Sequence, residues 1–441
     1  MSDSRTQGLV QRDEYGRTIE FDRNRWAIIL LLCVGVIIAF ISRTNLSSAL
    51  AYKPFVQMFH LTDIDRGTLN SAFFWSYAAL QIPTGMLVDR FGVKRTYAIS
   101  FVVWCLASAA TGLTHAFGQL TTMRILTGAG EAIVTPASYR WIRMNFPDSE
   151  SGRAVGIYVV GTKIGPAIGA PLAAWLIVRY GWRAMFLIIG LAGLLWLIPW
   201  LLMVKPDDPV KRVAGEVRRR PSSSIRFKDL MSSPVIWGTL IVNFCYNYFI
   251  FYCMTWMPAY FVEQRHLSLK KMGLYSFFSF GGIAIVALGS GWWADALVKR
   301  GWNAVAVRKA FTVAGFVLAS TELIGAHAAS TQTALIWAIV SLSGLGLASA
   351  NHLTLCRISL VPAASVGLVT GMQNVALSIA GIVGPLLTGW LLQKTGSYTA
   401  PMEAILFFLV LGAVATIVLL REKWSPRVTN HDLDPTVHAG R

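Results

Sequence analysis

The chain has 441 residues, of which 54% are hydrophobic and only 14% charged, and its mean hydropathy is +0.53. A soluble protein carries about a quarter charged residues because its surface faces water, so this composition excludes a set of soluble domains and indicates a chain solvated by lipid. The net charge of +17 would suit a nucleic-acid-binding protein, but the basic residues fill short gaps between apolar runs instead of forming a stripe with interleaved aromatics, which argues against nucleic acid as a partner.

Apolar runs of membrane-spanning length follow one another along the whole chain. A transmembrane helix needs about 20 mainly apolar residues. Runs of this kind predict spans 1 to 6 at 26–50, 68–89, 96–115, 119–143, 153–178 and 183–204. They predict spans 7 to 12 at 234–262, 272–297, 307–328, 333–360, 366–393 and 401–421.

Polar segments flank and divide these spans. We predict a cytoplasmic N-terminal tail (1–25), a first bundle (26–204), a basic cytoplasmic linker (205–233), a second bundle (234–421) and a cytoplasmic C-terminal tail (422–441). Most of the 39 Lys and Arg residues fall on the side of the tails and the linker, so the positive-inside rule predicts that both termini are cytoplasmic. The polar N-terminal tail does not have the pattern of a cleavable signal peptide.

The two bundles repeat one pattern. Three glycines and a tryptophan of span 5 recur in span 11 with a constant offset: Gly156, Gly169, Trp175 and Gly181 match Gly371, Gly384, Trp390 and Gly396. GMLVDRFG at 85–92 likewise has a counterpart in GWWADALVKRG at 291–301. The predicted fold class is therefore an all-α membrane protein with twelve transmembrane helices in two pseudo-symmetric six-helix bundles, an arrangement known from transporters.

The segment between spans 2 and 3, GMLVDRFGVKR, resembles the signature motif of the major facilitator superfamily. Its conformational positions are Gly85, Asp89, Arg90, Gly92 and Arg95, and Asp295 is the counterpart of Asp89 in the second bundle. In that superfamily the motif latches one closed state of the transport cycle. The resemblance thus implies the major facilitator fold and a conformational role for these residues.

Stretches along nearly the whole chain are similar to the anion:cation symporter family, which includes bacterial sugar-acid transporters. They are SRTNLSSAL (span 1), SYAALQIPTG (span 2), RILTGAGEAIVTPASYRWIRMNFP (span 4), TWMPAYFV (span 7), GGIAIVALGSGWWADALVKRG (span 8) and MQNVALSIAGIVGP (span 11). The resemblance implies a multi-pass protein of the bacterial inner membrane that carries a sugar acid such as a hexuronate or an aldonate.

Arg43 lies within span 1, where an arginine costs ~2.5–3.5 kcal/mol or more and is expected to face a cavity. A guanidinium matches a carboxylate in bidentate fashion, and the matching arginine of the resembling family clamps the substrate carboxylate. The alternative is that Arg43 snorkels to the outer interface. Many sugar-acid symporters have an aspartate where this chain has Ser42, and a hydroxyl does not titrate in this range, so the proton stoichiometry stays open.

Glu131 and Arg124 lie seven residues apart in span 4, about two turns, and hence on one helix face. Apolar surroundings disfavour the charged form of a carboxyl group, which makes Glu131 the predicted proton carrier. We expect Arg124 to hold Glu131 ionised until a bound anion or a separation releases it. The resemblance also implies a coupling role for both positions, and the alternative is a static buried ion pair.

Lys163 lies near the middle of span 5, directly after Thr162, which matches a polar substrate contact of the family. It either adds a second positive group for the anion or pairs with Glu131, and the alternative is a structural lysine that is turned to the neighbouring helices and buried in its neutral form. Tyr77, Gln373 and Asn374 match family positions near the substrate, so the resemblance implies that they contact the cargo. Asn45 and Tyr246 are polar residues inside spans that either contact the cargo or hold helices together. His352, His327 and Glu322 are interpreted as structural.

Catalytic, metal-binding and cofactor motifs are not found in the sequence. The five cysteines fall singly inside apolar runs, so neither a metal site nor a disulfide is predicted, and we expect no enzymatic activity and no cofactor. The predicted function is proton-coupled uptake of an organic anion by a monomer whose partners are a small carboxylate, protons and the bilayer. Alternatives are anion exchange, symport of an aromatic carboxylate such as phthalate, and a transporter-like receptor.

Overall fold

The computed structural model describes residues 10–12, 18–20, 24–206, 227–362 and 365–426. Most of the predicted N-terminal tail and linker, and the C-terminal tail from residue 427, lie outside these ranges. Two short strands, β1 (Val10–Arg12) and β2 (Thr18–Glu20), pair antiparallel, with Val10 opposite Glu20. The rest of the described secondary structure is helical.

The N-terminal half (24–206) contains eight helices. They are α1 (Arg25–Leu50), α2 (Lys53–Met58), α3 (Asp63–Phe91), α4 (Val93–Thr111), α5 (Phe117–Glu131), α6 (Val134–Asn145), α7 (Asp148–Gly193) and α8 (Leu197–Met203), with a 3-10 turn at Leu194–Trp196 before α8. The long α7 is broken at Gly181, where φ is 84°.

The C-terminal half (227–426) contains nine further helices. They are α9 (Phe227–Met231), α10 (Pro234–Thr255), α11 (Met257–Glu263), α12 (Leu269–Lys299), α13 (Ala304–Ala319), α14 (Glu322–His327), α15 (Thr331–Thr354), α16 (Val366–Thr395) and α17 (Thr399–Val418). A π-helical turn, Leu355–Ser359, continues α15, and a 3-10 turn, Glu422–Trp424, follows α17.

Eight helical segments of the described residues are long and apolar enough to cross a membrane. One of them, Glu150–Met203, is 54 residues long and contains predicted spans 5 and 6 on either side of the Gly181 break. The other seven coincide with predicted spans 1 and 7 to 12. Predicted spans 2, 3 and 4 are helical but are not among the segments that are long and apolar enough to cross a membrane. Span 4, for example, contains the charged residues Arg124, Glu131 and Arg140. The all-helical fold is confirmed, and the number twelve stays a prediction.

The backbone shows the internal repeat directly. Among the described residues, the four glycines with positive φ form two corresponding pairs. Gly92 (φ 82°) and Gly301 (φ 93°) follow α3 and α12, whereas Gly181 (φ 84°) and Gly396 (φ 65°) end predicted spans 5 and 11. Residues with a Cβ are strained at positive φ, so these glycines terminate equivalent helices in the two halves.

The two halves meet along α7 and α12, where a Cβ on Gly273 would lie 2.8 Å from Cα of Pro171, and along α3 and α16. We call the end that holds Leu50 the outer end and the end that holds Phe91 the inner end, following the charge-based expectation for the termini. At the outer end a Cβ on Gly67 of α3 would lie 2.6 Å from the carbonyl oxygen of Pro385 in α16. Gly85 lies 18 residues, or five turns, farther along the same face of α3, and nothing lies within 4 Å of its Cβ position. The space between these helices therefore opens toward the inner end.

Candidate substrate and proton site

Arg43 of α1 and Glu131 of α5 form a buried ion pair near the centre of the N-terminal half. Nε of Arg43 donates to Oε2 of Glu131 at 2.7 Å, and the two side chains are 9% and 0% exposed. The other carboxylate oxygen, Oε1, has no hydrogen-bond partner. Removing one member of such a pair leaves an uncompensated buried charge, which is strongly unfavourable. Either side chain therefore requires a replacement partner whenever the two separate.

Three aromatic rings surround the Arg43 guanidinium. Its central carbon lies 4.4 Å from the ring centroid of Phe40, 4.8 Å from that of Phe73 and 5.0 Å from that of Tyr77. Cations over aromatic faces are stabilised by the ring quadrupole, and more so in a desolvated site. These rings hold the guanidinium inside the bundle, which agrees with the cavity-facing interpretation of Arg43 and not with snorkelling.

Local packing places Glu131 beside Arg43. Gly128, one turn earlier in α5, brings this helix so close to α3 that a Cβ would collide with the carbonyl oxygen of Phe73. Helix α5 ends at Glu131 because Pro136 has no N–H to donate to the carbonyl of Ala132. The hydroxyl of Thr84 in α3 donates to that carbonyl instead, at 3.3 Å. The glycine and the proline thus fix both the depth and the direction of the carboxylate.

Arg124 occupies a second position in the same group. Its side chain is buried, its central carbon lies 5.2 Å from the Phe73 ring, and it is within electrostatic range of both Glu131 and Arg43. The direct partner of Glu131 in this structure is Arg43 rather than Arg124. The shared helix face predicted from sequence is consistent with a supporting role, in which Arg124 adds positive charge without making the contact.

A second polar group joins the two halves. Nζ of Lys163 in α7 donates to Oη of Tyr246 in α10 at 3.2 Å, and Oη donates to Oγ of Ser349 in α15 at 3.0 Å. The ring of Tyr246 also lies 4.6 Å from that of His352. The predicted pairing of Lys163 with Glu131 does not occur in this structure, and its role as a second positive group for an anion stays a prediction.

Gln373 of α16 is held between two neighbouring side chains. Its Oε1 accepts from Nε of Arg357 at 2.6 Å, and its backbone carbonyl accepts from Nδ2 of Asn243 at 2.6 Å. Oδ1 of Asn243 lies 3.4 Å from Nε2 of His352. Gln373, a predicted cargo contact, thus belongs to the same network as Tyr246 in the C-terminal half.

The sequence analysis missed Arg357 and His352 as members of this network. Arg357 is not among the predicted site residues, and His352 is interpreted there as structural. The available signal was the position of Arg357 within predicted span 333–360, only five residues after the histidine. An arginine inside a span is a candidate functional residue by default.

The remaining predicted cargo contacts lie outside these two groups. Asn45 is buried between α1 and α4, where its amide donates to Oγ of Ser108 at 3.2 Å. The hydroxyl of Thr162 donates to the carbonyl of Val159 in its own helix at 2.7 Å, and Asn374 is half-buried on α16. The structure does not bring these three side chains into contact with the Arg43–Glu131 pair.

The carboxylates of the repeated motif are paired within their own halves. Asp89 of α3 pairs with Arg140 of α6, and Asp295 of α12 pairs with Arg308 of α13 at 2.6 Å. The other motif side chains lie at the inner end of α3 and the start of α4: Arg90, whose guanidinium lies over the Phe91 ring, and the exposed Arg95. These pairs join helices at the inner end.

Charges buried among helices, together with two repeated halves, define a polytopic membrane transport protein. Residues 32–357 match the family model described as Major Facilitator Superfamily, which is more than half of the chain. The chain belongs to the Major Facilitator Superfamily. Proteins of this superfamily are transporters and not enzymes, as the sequence predicted.

Curated relatives extend this assignment. The chain is 28% identical over 422 residues to the D-galactonate transporter of Escherichia coli O6:H1, covering 90% of this chain and 96% of the relative. It is 28% identical over 409 residues to the hexuronate transporter of Bacillus subtilis (strain 168), covering 91% of this chain and 94% of the relative. The resemblance to sugar-acid transporters is therefore confirmed as a relationship of sequence.

A solved structure confirms the fold. The crystal structure of a bacterial homologue of the human lysosomal transporter Spinster, in an inward-facing and occupied conformation, superposes with a TM-score of 0.72. The match covers 92% of this chain and 100% of that chain at 18% sequence identity, which shows the fold alone.

Proposed function

We propose that the protein takes up a sugar-acid anion together with protons, by alternating access. The contact between Arg43 and Glu131 carries this proposal, because the guanidinium suited to a cargo carboxylate is held here by a carboxylate of the protein. Two carboxylates compete for one cation. Protonation of Glu131 releases Arg43 for the cargo, and departure of the cargo lets Glu131 lose its proton and pair again.

The cost of unpaired buried charge supplies the coupling. With Glu131 ionised and an anion bound, two carboxylates would share the single guanidinium of Arg43; with Glu131 protonated and no anion, Arg43 would have lost its direct carboxylate partner. Both states are expensive in a low-dielectric interior, by several kcal/mol for each unpaired ion. The two favourable states are therefore empty with Glu131 charged, and loaded with Glu131 neutral. Proton and anion cross together, and Ser42 offers no second proton site.

Several groups are placed to recognise a hydroxylated cargo. Lys163 adds a second cation to the cavity, and Tyr246 and Gln373 present hydroxyl and amide groups in the opposite half. A cargo bound by both halves changes its contacts when they move, as alternating access requires. The names of the galactonate and hexuronate transporters support a sugar acid as the cargo class. We also propose that the protein lies in the bacterial inner membrane, with both termini cytoplasmic.

Uptake into proteoliposomes with an alkaline interior tests the proposal. The wild-type protein should accumulate labelled galactonate or glucuronate against its gradient. Glu131→Gln, whose amide imitates the protonated acid, should lose accumulation but retain exchange of internal for external anion. Glu322→Gln is the matched control, since Glu322 is equally buried in the C-terminal half, is hydrogen-bonded to Ser341 and has no role in the proposed site. Undiminished gradient-driven accumulation by Glu131→Gln would contradict proton coupling through this residue. Uptake of phthalate without uptake of either sugar acid would instead contradict the cargo class.

A further inference from the structure

Two cations that line the space between the halves have no carboxylate in contact among the described residues. The polar partner of Lys163 is the Tyr246 hydroxyl, and that of Arg357 is the Gln373 amide oxygen. By contrast, Arg43 is neutralised directly by Glu131. A cation at membrane depth is costly without a counter-charge, so Lys163 is positioned to receive an anionic group. Arg357 lies at the inner end of the helical segment Thr331–Arg357, where its guanidinium can receive a second one.

The two cations lie at opposite ends of one polar strip. Lys163 is linked through the Tyr246 hydroxyl to Ser349 of α15. Arg357 follows Ser349 by eight residues of the same helical run, about 12 Å along the axis. Between them lies His352, whose ring is within electrostatic range of both cations.

The guanidinium of Arg357 keeps donors available for a ligand. Among the described residues, Gln373 is the side chain that hydrogen-bonds to it, through Nε, and the two terminal nitrogens are not engaged. Tyr139 of α6, a 38% exposed side chain of the N-terminal half, is within electrostatic range of Arg357. Arg357 lies in the π-helical turn Leu355–Ser359, and such turns inside helices occur frequently at functional sites.

We propose that Arg357 binds the second carboxylate of a dicarboxylic sugar acid whose first carboxylate lies at Arg43 and Lys163. The preferred cargo is then a six-carbon aldarate, carboxylated at both ends, and not an aldonate or a uronate. This inference rests on the proposed sugar-acid transport and narrows its cargo. An extended six-carbon chain spans roughly 6 Å between its end carbons. Charge-assisted hydrogen bonds of about 2.8 Å at each end extend this reach, so that one cargo could contact both Arg357 and the other end of the strip, where Lys163 and Tyr246 lie.

Equilibrium binding to the purified full-length protein tests this role. The ligands are a hexarate, the hexonate of the same configuration and the hexarate monoamide, which keeps the shape but loses one charge. The wild-type protein should bind the hexarate roughly 10- to 100-fold more tightly than the other two, the range expected for one charge-assisted contact. Arg357→Gln should lose this preference and bind all three ligands with similar affinity.

Two further variants control for a general effect of lost charge and for misfolding. Arg421→Gln removes a cation that lies over Trp424, after the last helix of the same half, and should keep the preference for the hexarate. Arg357→Lys keeps the positive charge and should retain part of the preference for the hexarate over the hexonate. It provides a second test if Arg357→Gln does not fold. Equal losses for hexarate and hexonate in Arg357→Gln, or no loss at all, would overturn the second-carboxylate role while leaving sugar-acid transport intact. Failure of the wild-type protein to bind either acid would overturn the proposed function itself.

Discussion

Arg66 of α3 and Glu263 of α11 form an ion pair that joins the two halves at the outer end. Nη2 of Arg66 lies 2.8 Å from Oε1 of Glu263, and the hydroxyl of Tyr398 donates to Oε2 of the same carboxylate at 2.6 Å. The Arg66 side chain is 5% exposed, and its guanidinium lies 4.9 Å from the ring centroid of Trp256. Because the pair crosses from one half to the other, it must break before the outer end can open.

Glu263→Gln should shift the protein toward an outward-open state. Loss of a partly exposed ion pair is expected to cost about 1–2 kcal/mol, or roughly a 5- to 30-fold change in the ratio of the two states. Spin labels at the exposed positions Lys53 and Lys394 report the distance between the halves at this end. Asp63→Asn is the matched control, since Asp63 contacts Arg66 at 2.9 Å from the same helix. An equal shift in both variants would mean that the inter-half contact is not what holds this end closed.

Cargo binding should become stronger as the pH falls, because Arg43 is available only when Glu131 is protonated. Glu131→Gln should bind the anion with an affinity that changes little with pH, since its amide is permanently neutral. Titration calorimetry between pH 5 and pH 8 measures both slopes, with Glu322→Gln expected to follow the wild-type curve. A slope preserved in Glu131→Gln would assign the coupled proton to a different group.

Gly128→Ala should destabilise the protein and disturb the ion pair. The added Cβ would collide with the backbone carbonyl of Phe73, which cannot turn aside as a flexible side chain can. Overpacking of this kind costs about 1–3 kcal/mol, so the midpoint of thermal unfolding in detergent should fall by several degrees. Gly118→Ala in the same helix is the control, because nothing lies within 4 Å of its Cβ position. Similar unfolding midpoints for the two variants would contradict the close approach of α5 to α3.

Asp89→Asn should lower the maximal transport rate several-fold and leave cargo affinity unchanged. Asp89 pairs with Arg140 between α3 and α6 at the inner end, away from the Arg43 group. Asp295→Asn removes the corresponding pair with Arg308 and should have a similar effect if the repeated halves play equivalent parts. The rate and the half-saturating concentration are obtained from uptake at a series of cargo concentrations. A loss confined to affinity would contradict a conformational role.

The sequence predicted the elements of the fold because each is governed by local chemistry. Apolar length predicts the spans, and the glycines of the repeat end helices at equivalent places, as Gly181 and Gly396 show. The high cost of burying a charge was enough to nominate Arg43 and Glu131. The number of crossings was harder to predict, since span 4, which carries Arg124 and Glu131, is interrupted after Glu131 and is divided between α5 and α6.

Partnerships between side chains could not be predicted in the same way. Helix geometry predicts neighbours only within one helix, so it predicted Arg124 as the partner of Glu131. The observed partner, Arg43, lies 88 residues away in the sequence and on another helix. The same limit hid Arg357, whose contact with Gln373 depends on how α15 and α16 pack. Charge near the end of a span resembles an ordinary cytoplasmic anchor until the neighbouring helix is known.

Gly67 and Gly85 of α3 have different surroundings, so a tilt of this helix would have opposite effects at its two ends. Both glycines lie on the face of α3 that is turned to α16. Between them, the ring of Phe74 packs against Gly381 of α16, and this contact could act as the pivot of a tilt. A small tilt about this ring would separate the helices at Gly67 and bring them together at Gly85, with little change in the total area in contact. In the proposed transport cycle, opening one end would then offset the cost of closing the other, so the two access states would lie close in energy and binding of one anion with its proton would be enough to favour one of them.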